Sequence, residues 1–254
     1  MEYLSNSRIN LYLNCSLKYK FNYIDKLPKP FKSSALAFGS AVHSAISWLH
    51  KQEMNGNGVT LEKLYKIFDA DWYVQRYDDQ IRFKDGEMEM NLLSTGRQIL
   101  DLYFSSPIKK VKGSEVPFSV PLKDPANGKH LGINLDGFFD LIEADDTIVE
   151  FKTSAQTMYQ EDVDNHLQLT AYSYAYEMLY GKPPKVLKII NFTKHKKPRM
   201  LTFETWRDEA DHKRFFSLAG KVLEGINHNI FFPRPSFMCG DCEYAGPCRE
   251  WGRK

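Results

Sequence analysis

"DGFFDLIEADDTIVEFK", residues 136–152, carries two apolar, β-branched and aromatic runs on either side of Ala144, Asp145 and Asp146. That pattern predicts a β-hairpin. With a three-residue loop, Glu143 pairs with Thr147 and Asp140 faces Glu150. Side chains directly opposite in an antiparallel pair share a face about 5 Å apart, and residues i and i+2 of one strand share a face too. Asp140, Glu150 and Lys152 are therefore expected on one side, beside Phe138, Ile142 and Ile148. Phe139, Leu141, Val149 and Phe151 are expected on the other. Strands apolar on both faces belong in the covered middle of a sheet.

Two carboxylates and an ammonium are costly in such a place unless they are paired or hold a cation. Adjacent carboxylates push each other's pKa upward. A hard divalent ion relieves that repulsion, and Mg²⁺ typically takes one or two carboxylates plus water. The competing reading is an ordinary Glu–Lys or Asp–Lys ion pair on an edge strand. Asp136 lies four residues before Asp140, on the same strand face but further from Glu150.

The rest of the chain frames this hairpin. Residues 5–24 begin at the helix-capping Ser5 or Ser7 and run with helical spacing, with Cys15 inside that helix. "ALAFGSAVHSAISWLHKQE" predicts a second helix with Val42, Ile46 and Leu49 on one stripe and His43 beside it. Two or more helices follow within 60–105, then strands at 114–122 and 129–143 around the turn "DPANGK". A helix over 161–180 closed by Gly181, a strand "KVLKIINFT" and a last long helix complete the order, before a Pro- and Cys-rich tail from Phe231. The expected fold is α/β: a central mixed sheet flanked by helices, with a helical N-terminal lobe over 1–105, a core over 106–230 and the tail over 231–254, all one domain.

Of the 254 residues, 43% are hydrophobic and 26% charged, which supports a sizeable core, while a net charge of +2 is too small to argue for nucleic acid. No apolar run approaches the roughly 20 residues that cross a bilayer, and "MEYLSNSRIN" does not read as a secretory signal. No membrane is expected, and the default compartment is the cytosol, where structural disulfides are rare. Cys239-x₂-Cys242-x₅-Cys248, with Cys15 far upstream, supplies four thiols, enough for a structural Zn²⁺ or a [4Fe–4S] cluster. The basic run "TKHKKPR" holds Lys194, Lys196, Lys197 and Arg199. It reads as a solvated loop or as a set of phosphate contacts.

Gly137-x-x-Asp140, Glu150-x-Lys152, Gln168-x-x-x-Tyr172 on the next helix and His43 in an upstream "GSAVH" helix resemble the PD-(D/E)XK superfamily, with its restriction-endonuclease-like core. Within it they are similar to the RecB-type nucleases, which include the nuclease domains of RecB and AddB and the CRISPR-associated adaptation nucleases. The resemblance spans nearly the full chain. It implies that His43, Asp140, Glu150 and the backbone carbonyl of Phe151 hold one or two Mg²⁺ or Mn²⁺ ions. Lys152 would then orient the attacking water and stabilise charge on the phosphate. Gln168 and Tyr172 would steady the lysine or grip the backbone of the nucleic acid, and Glu115 would stand as an outer carboxylate. It also implies that Cys15, Cys239, Cys242 and Cys248 hold a [4Fe–4S] cluster, zinc being the alternative. The implied function is a DNA exonuclease acting on single-stranded ends. The chain has no G-x-x-x-x-G-K-[ST] phosphate loop, so any helicase or recombination partner is a separate protein. The rival is a non-catalytic DNA-binding or scaffolding subunit that keeps the fold.

Overall fold

A computed structural model of the chain describes residues 3–107 and 109–252. The chain forms two compact units: residues 33–118 and 138–206 make one, and residues 1–32, 119–137 and 207–254 make the other. The fold is α/β, with a mixed sheet flanked by helices.

β2 (Lys32–Ser33) precedes the helices of the larger unit, α3 (Ser34–Met54), α4 (Leu61–Asp78) and α5 (Glu89–Phe104), and β3 (Ile81–Arg82) lies between α4 and α5. The strand β4 (Val111–Lys123) enters from this unit, and β5 (His130–Glu143) ends in it. Then follow β6 (Thr147–Ser154), α6 (Gln160–Asp164), α7 (Leu167–Tyr180), β7 (Val186–Thr193) and β8 (Met200–Thr205). β5 pairs antiparallel with β6, β6 parallel with β7, and β7 antiparallel with β8. A parallel pair cannot be joined by a tight turn, which is why α6 and α7 lie between β6 and β7. One side of the sheet buries Leu141, Val149, Phe151 and Phe192 against Phe38, Ile46, Phe68 and Tyr103 of α3, α4 and α5. α7 is buried almost all round from Leu169 to Tyr176, as expected of a helix with no polar face to show. Gly181 closes it in the left-handed conformation (φ +68°), as the sequence predicts.

α4 and α5 approach so closely that Gly96 has no room to spare. A Cβ there would overlap the Cζ end of the fully buried Phe68 ring. Gly96→Ala is expected to destabilise the protein by about 1–3 kcal/mol through overpacking, despite alanine's better helix propensity. Urea denaturation with an unchanged m-value would show it; equal or greater stability would contradict this packing.

The smaller unit contains β1 (Tyr3–Leu4), α1 (Asn6–Asn14) and α2 (Ser16–Tyr19) with its π-helical continuation Lys20–Ile24. It also contains α8 (Glu209–Asn227), the 3₁₀ turn Phe237–Asp241 and α9 (Ala245–Glu250). β1 pairs parallel with β5 at Asn134 and Leu135. Three expectations change here and in the larger unit. Cys15 is not inside a helix. It is extended (φ −164°, ψ 102°) between α1 and α2, where its sulfur accepts the Lys18 N–H at 3.4 Å. Residues 161–180 are two helices, because Asn165 and His166 end α6 before α7 starts. β8 follows the basic run, over residues to which the sequence reading assigns no element.

Candidate functional site

The hairpin pairs Leu141 with Val149 and Ile142 with Ile148, the register of a three-residue loop. Before Leu141 the pairing takes another form: Asp140 Oδ2 accepts the Phe151 N–H at 3.0 Å. The alternation of β5 also slips there. Phe139 stacks edge-on with Tyr172 and Tyr176 of α7, while Leu141 and Phe151 lie in the core against the α3 side. The sequence expectation that Phe139 shares a face with Leu141 and Phe151 is thus corrected. A side chain inserted into the ladder in place of a backbone partner interrupts the two-residue repeat.

The slip lets Asp140 meet residues from both sides of the sheet. His43 of α3 approaches with Nδ1 at 3.5 Å from Asp140 Oδ2. Tyr172 of α7 offers its hydroxyl to Glu150 Oε2 at 2.8 Å and to Asp140 Oδ1 at 3.3 Å. Glu150 is only 2% exposed. Its other oxygen meets Lys152 Nζ at 2.5 Å, and Gln168 Nε2 donates to Glu150 Oε2 at 2.9 Å. Gln168 Oε1 in turn accepts from Lys152 Nζ at 2.8 Å. So His43, Asp140, Glu150, Lys152, Gln168 and Tyr172 form one continuous network, and the backbone of Phe151 belongs to it. The Gln168–Tyr172 spacing of four puts both side chains on one helix face.

Tyr172 has one proton for two carboxylates. Tyr172→Phe removes that bridge and leaves buried Glu150 short of a donor. Glu150 keeps Gln168 and Lys152, so a loss of about 1.5–3 kcal/mol is expected, the scale of one hydrogen bond to a charged acceptor, read by denaturant titration; an unchanged midpoint would mean that the hydroxyl is not holding Glu150.

The electrostatics are uneven. Burial, then the nearby Glu150 charge, holds the Asp140 carboxyl well above the usual carboxylate range, although the Phe151 N–H works the other way. Burial pushes Glu150 up, but Lys152, His43 and the Tyr172 hydroxyl together bring it below its ordinary value. Burial lowers the His43 pKa, so its imidazole is neutral near pH 7, the form that ligates metals. One carboxylate is thus already compensated and the other is not. Asp140 is where a cation would gain most. Among the described residues, no three His, Cys, Asp or Glu side chains already close on one point; the lysine ammonium sits against Glu150 instead.

Glu115 of β4 stands in a left-handed backbone conformation (φ +53°), rare for a residue with a side chain. Burial raises its pKa, and its charge is felt by Asp140 and Glu150. Its neighbour Ser114 touches Ser47, one turn along α3 from His43, at 3.2 Å. Asp136 is elsewhere: it accepts from Ser119 Oγ at 2.7 Å in the smaller unit. Gly39 brings α3 against β6, where an added Cβ would lie 3.1 Å from Thr153 Oγ1. No sequence signal other than its place in "GSAVH" marks that contact.

The basic run is the β7–β8 connection. It is tied to the chain leaving β6: Lys194 N–H donates to Ser154 O at 2.7 Å, and the His195 ring meets Ala155 O at 2.9 Å. Lys194 lies half-buried with Nζ 5.4 Å over the Phe38 ring, and burial lowers its pKa. Lys196, Lys197 and Arg199 are exposed.

In the smaller unit Cys15, Cys239, Cys242 and Cys248 all line one cavity of about 260 Å³. Three of them, Cys15, Cys242 and Cys248, pack on a small core of Leu17, Phe21 and Tyr244. Burial raises the Cys242 and Cys248 pKa values, and the charge of Cys15 adds to both.

A buried acid pair on neighbouring strands, a lysine two residues after the second acid, and a helix pinning both define a nuclease class. The sequence profile of the PD-(D/E)XK nuclease superfamily matches residues 3–249, and the chain belongs to that superfamily. Among solved structures it is similar to a protein of Eubacterium rectale described provisionally as an exonuclease. The two share 16% identity over 98% of this chain and 88% of that one, with a TM-score of 0.64. SSO0001 is 16% identical over 90% of this chain and 91% of its own, with a TM-score of 0.40. Comparison with curated proteins gives no match. These likenesses bear on the fold. No described helix is long and apolar enough to cross a membrane.

Proposed function

We propose that the protein is a Mg²⁺- or Mn²⁺-dependent DNA nuclease of the RecB type, acting as an exonuclease on single-stranded ends. The observation that carries this reading is the Asp140–Tyr172–Glu150–Lys152 network, in which one buried carboxylate is compensated and the other is poised for a cation. Asp140, Glu150, His43 and the Phe151 carbonyl would hold the ion. A bound divalent ion polarises a phosphoryl oxygen and makes a water acidic. The chain's own residues do the rest. Lys152 presents a fixed positive charge where negative charge develops. Gln168 fixes that ammonium, and Tyr172 holds the two carboxylates in register. Lys196, Lys197 and Arg199 would track phosphates, with Lys194 anchoring their loop.

The test is cleavage of oligonucleotides labelled at the 5′ or the 3′ end, with and without Mg²⁺ or Mn²⁺. A ladder growing from one end supports the reading and sets polarity. Equal inertness of wild type and Lys152→Ala would instead favour a scaffolding subunit. Replacing Lys196, Lys197 and Arg199 together by Ala is expected to weaken binding and flatten its salt dependence. If all three meet phosphates of a single strand, the slope of log K against log salt should fall by about 2. An unchanged slope would return the loop to the solvent.

The four thiols fit a [4Fe–4S] cluster in number and in sharing one cavity, and we propose that they hold one as a clasp between the two chain ends. Zinc is the alternative; a colourless, zinc-rich anaerobic preparation would establish it.

A further inference from the structure

We propose that Asn191 of β7 is a positioning residue for Lys152: its side-chain oxygen holds the ammonium when the cation claims Glu150. This rests on the nuclease reading above and adds a residue to its machinery.

Asn191 is completely buried and stands in register with Lys152 of β6, about one strand spacing, roughly 5 Å, away. Ser154, two residues beyond Lys152, shares its face, and Ser154 Oγ lies 3.0 Å from the Asn191 amide. All three residues therefore belong to the side on which Glu150 and Lys152 meet Gln168 of α7.

Ser154 Oγ has one proton and two neighbours, the backbone carbonyl of Gln156 and the Asn191 amide. A backbone carbonyl only accepts, so the proton goes to Gln156 O. Asn191 must then meet Ser154 with its NH₂ group, and its oxygen takes the other end of the amide. The surroundings of that end agree. It is buried, and no acceptor lies within hydrogen-bond distance of it among the described residues. That would strand an NH₂ group but suits an oxygen, which calls for a donor.

The side chain in register can supply one. An ammonium has three N–H groups, and Lys152 places two of them, on Glu150 and on Gln168. The site also gives the lysine reason to turn to Asn191. Lys152 and a divalent ion both claim Glu150, and two cations on one carboxylate repel each other. With Gln168 alone to go to, the ammonium would lose a charged hydrogen bond whenever the ion bound. With Asn191 Oδ1 beside it, it exchanges one oxygen for another. Glu150 is released to the ion, and the positive charge stays on the sheet face where the phosphate is attacked.

The test is Mn²⁺ binding by calorimetry without oligonucleotide, together with cleavage at saturating Mn²⁺. Asn191→Leu keeps the bulk and deletes the oxygen. Its Kd for Mn²⁺ should rise roughly 10- to 150-fold, the factor for one hydrogen bond to a charged group. At saturating Mn²⁺ its kcat should fall while KM for the oligonucleotide holds. In a Lys152→Ala background, where no ammonium competes, Asn191→Leu should change the Mn²⁺ Kd no further. Asn191→Asp keeps an oxygen for the ammonium and should bind Mn²⁺ at least as tightly as the wild type; it also serves if the leucine variant does not fold. A wild-type Mn²⁺ Kd in Asn191→Leu would overturn the proposal, as would an equal loss in the Lys152→Ala background or a weaker Kd in Asn191→Asp. A wild type that neither binds Mn²⁺ nor cleaves would defeat the nuclease reading itself, and this inference with it; Mn²⁺ binding and cleavage that ignore Asn191 defeat the inference alone.

Discussion

Asp140→Asn is expected to give a protein that resists unfolding better than the wild type in the absence of divalent cation, and that no longer cleaves. Burial and Glu150 raise the Asp140 pKa in the folded state. A carboxyl with a folded pKa above its unfolded value, near 3.9, binds its proton more tightly when folded. Its contribution to stability is therefore present below the unfolded pKa and lost as pH rises through the folded one. Asparagine is neutral throughout. The stability gap between variant and wild type should thus open as pH rises from about 4 toward neutrality and then level off. His43, whose depressed pKa costs stability as pH falls through about 6.5, works in the opposite sense.

Adding Mn²⁺ should reverse the order. An ion at 100 times its Kd stabilises by about 2.7 kcal/mol, and the variant should show little of that shift. Cleavage should fall by at least about 10²–10³-fold, the scale for removing one fixed electrostatic group from a reacting centre. Thermal scans at several pH values, with and without Mn²⁺, together with cleavage assays, check all three statements. A wild type whose midpoint ignores Mn²⁺, or a variant that still cuts, would remove Asp140 from the site.

The second large effect concerns the thiols. Anaerobically purified protein is expected to be brown, to absorb near 400 nm and to carry about four irons, and Cys15→Ser should lose the colour. By analogy with a disulfide, a link closing a loop of more than 100 residues removes more than about 4 kcal/mol of unfolded-state freedom. For a domain of this size that corresponds to a loss of roughly 10 °C in thermal midpoint. Cys239→Ser and Cys248→Ser should behave alike, because each removes one of the same four ligands. A wild type with neither iron nor zinc, and an unaltered midpoint in Cys15→Ser, would show that the cavity holds no metal centre.

Much of the site could be read in the chain. The loop length fixed the hairpin register, and the register carried Asp140, Glu150 and Lys152 to one network. Gln168, Tyr172 and His43 came from the family resemblance; helical spacing added only that Gln168 and Tyr172 share a face. What escaped the reading was whatever a period cannot encode. Asp140 takes the place of a backbone partner for Phe151, so Phe139 turns away from Leu141. The period-2 pattern of "FFDLI" has no mark for that slip. Cys15 breaks a helix that its apolar spacing would continue, because its sulfur caps the next turn, a role ordinarily left to oxygen side chains. Among the described residues β8 is an edge strand hydrogen-bonded to β7, and an edge tolerates polar residues, so "MLTFET" reads weakly as a strand. Glu115 carries its backbone strain with no glycine to announce it.

The two halves of the proposed machinery also differ in when they can be built. All residues of the acid–lysine network precede residue 207, so a chain emerging from the ribosome has its whole cutting centre translated before the last three thiols exist. Cys15 waits through the synthesis of Cys239, 224 residues later (239 − 15). At bacterial-to-eukaryotic elongation rates that is roughly 10–45 s. During that interval the early thiol is open to oxidants and stray metals. If the four thiols hold the proposed cluster, iron loading is a late step in biogenesis, and a cell short of iron would accumulate molecules whose acid–lysine network is complete while the clasp is missing.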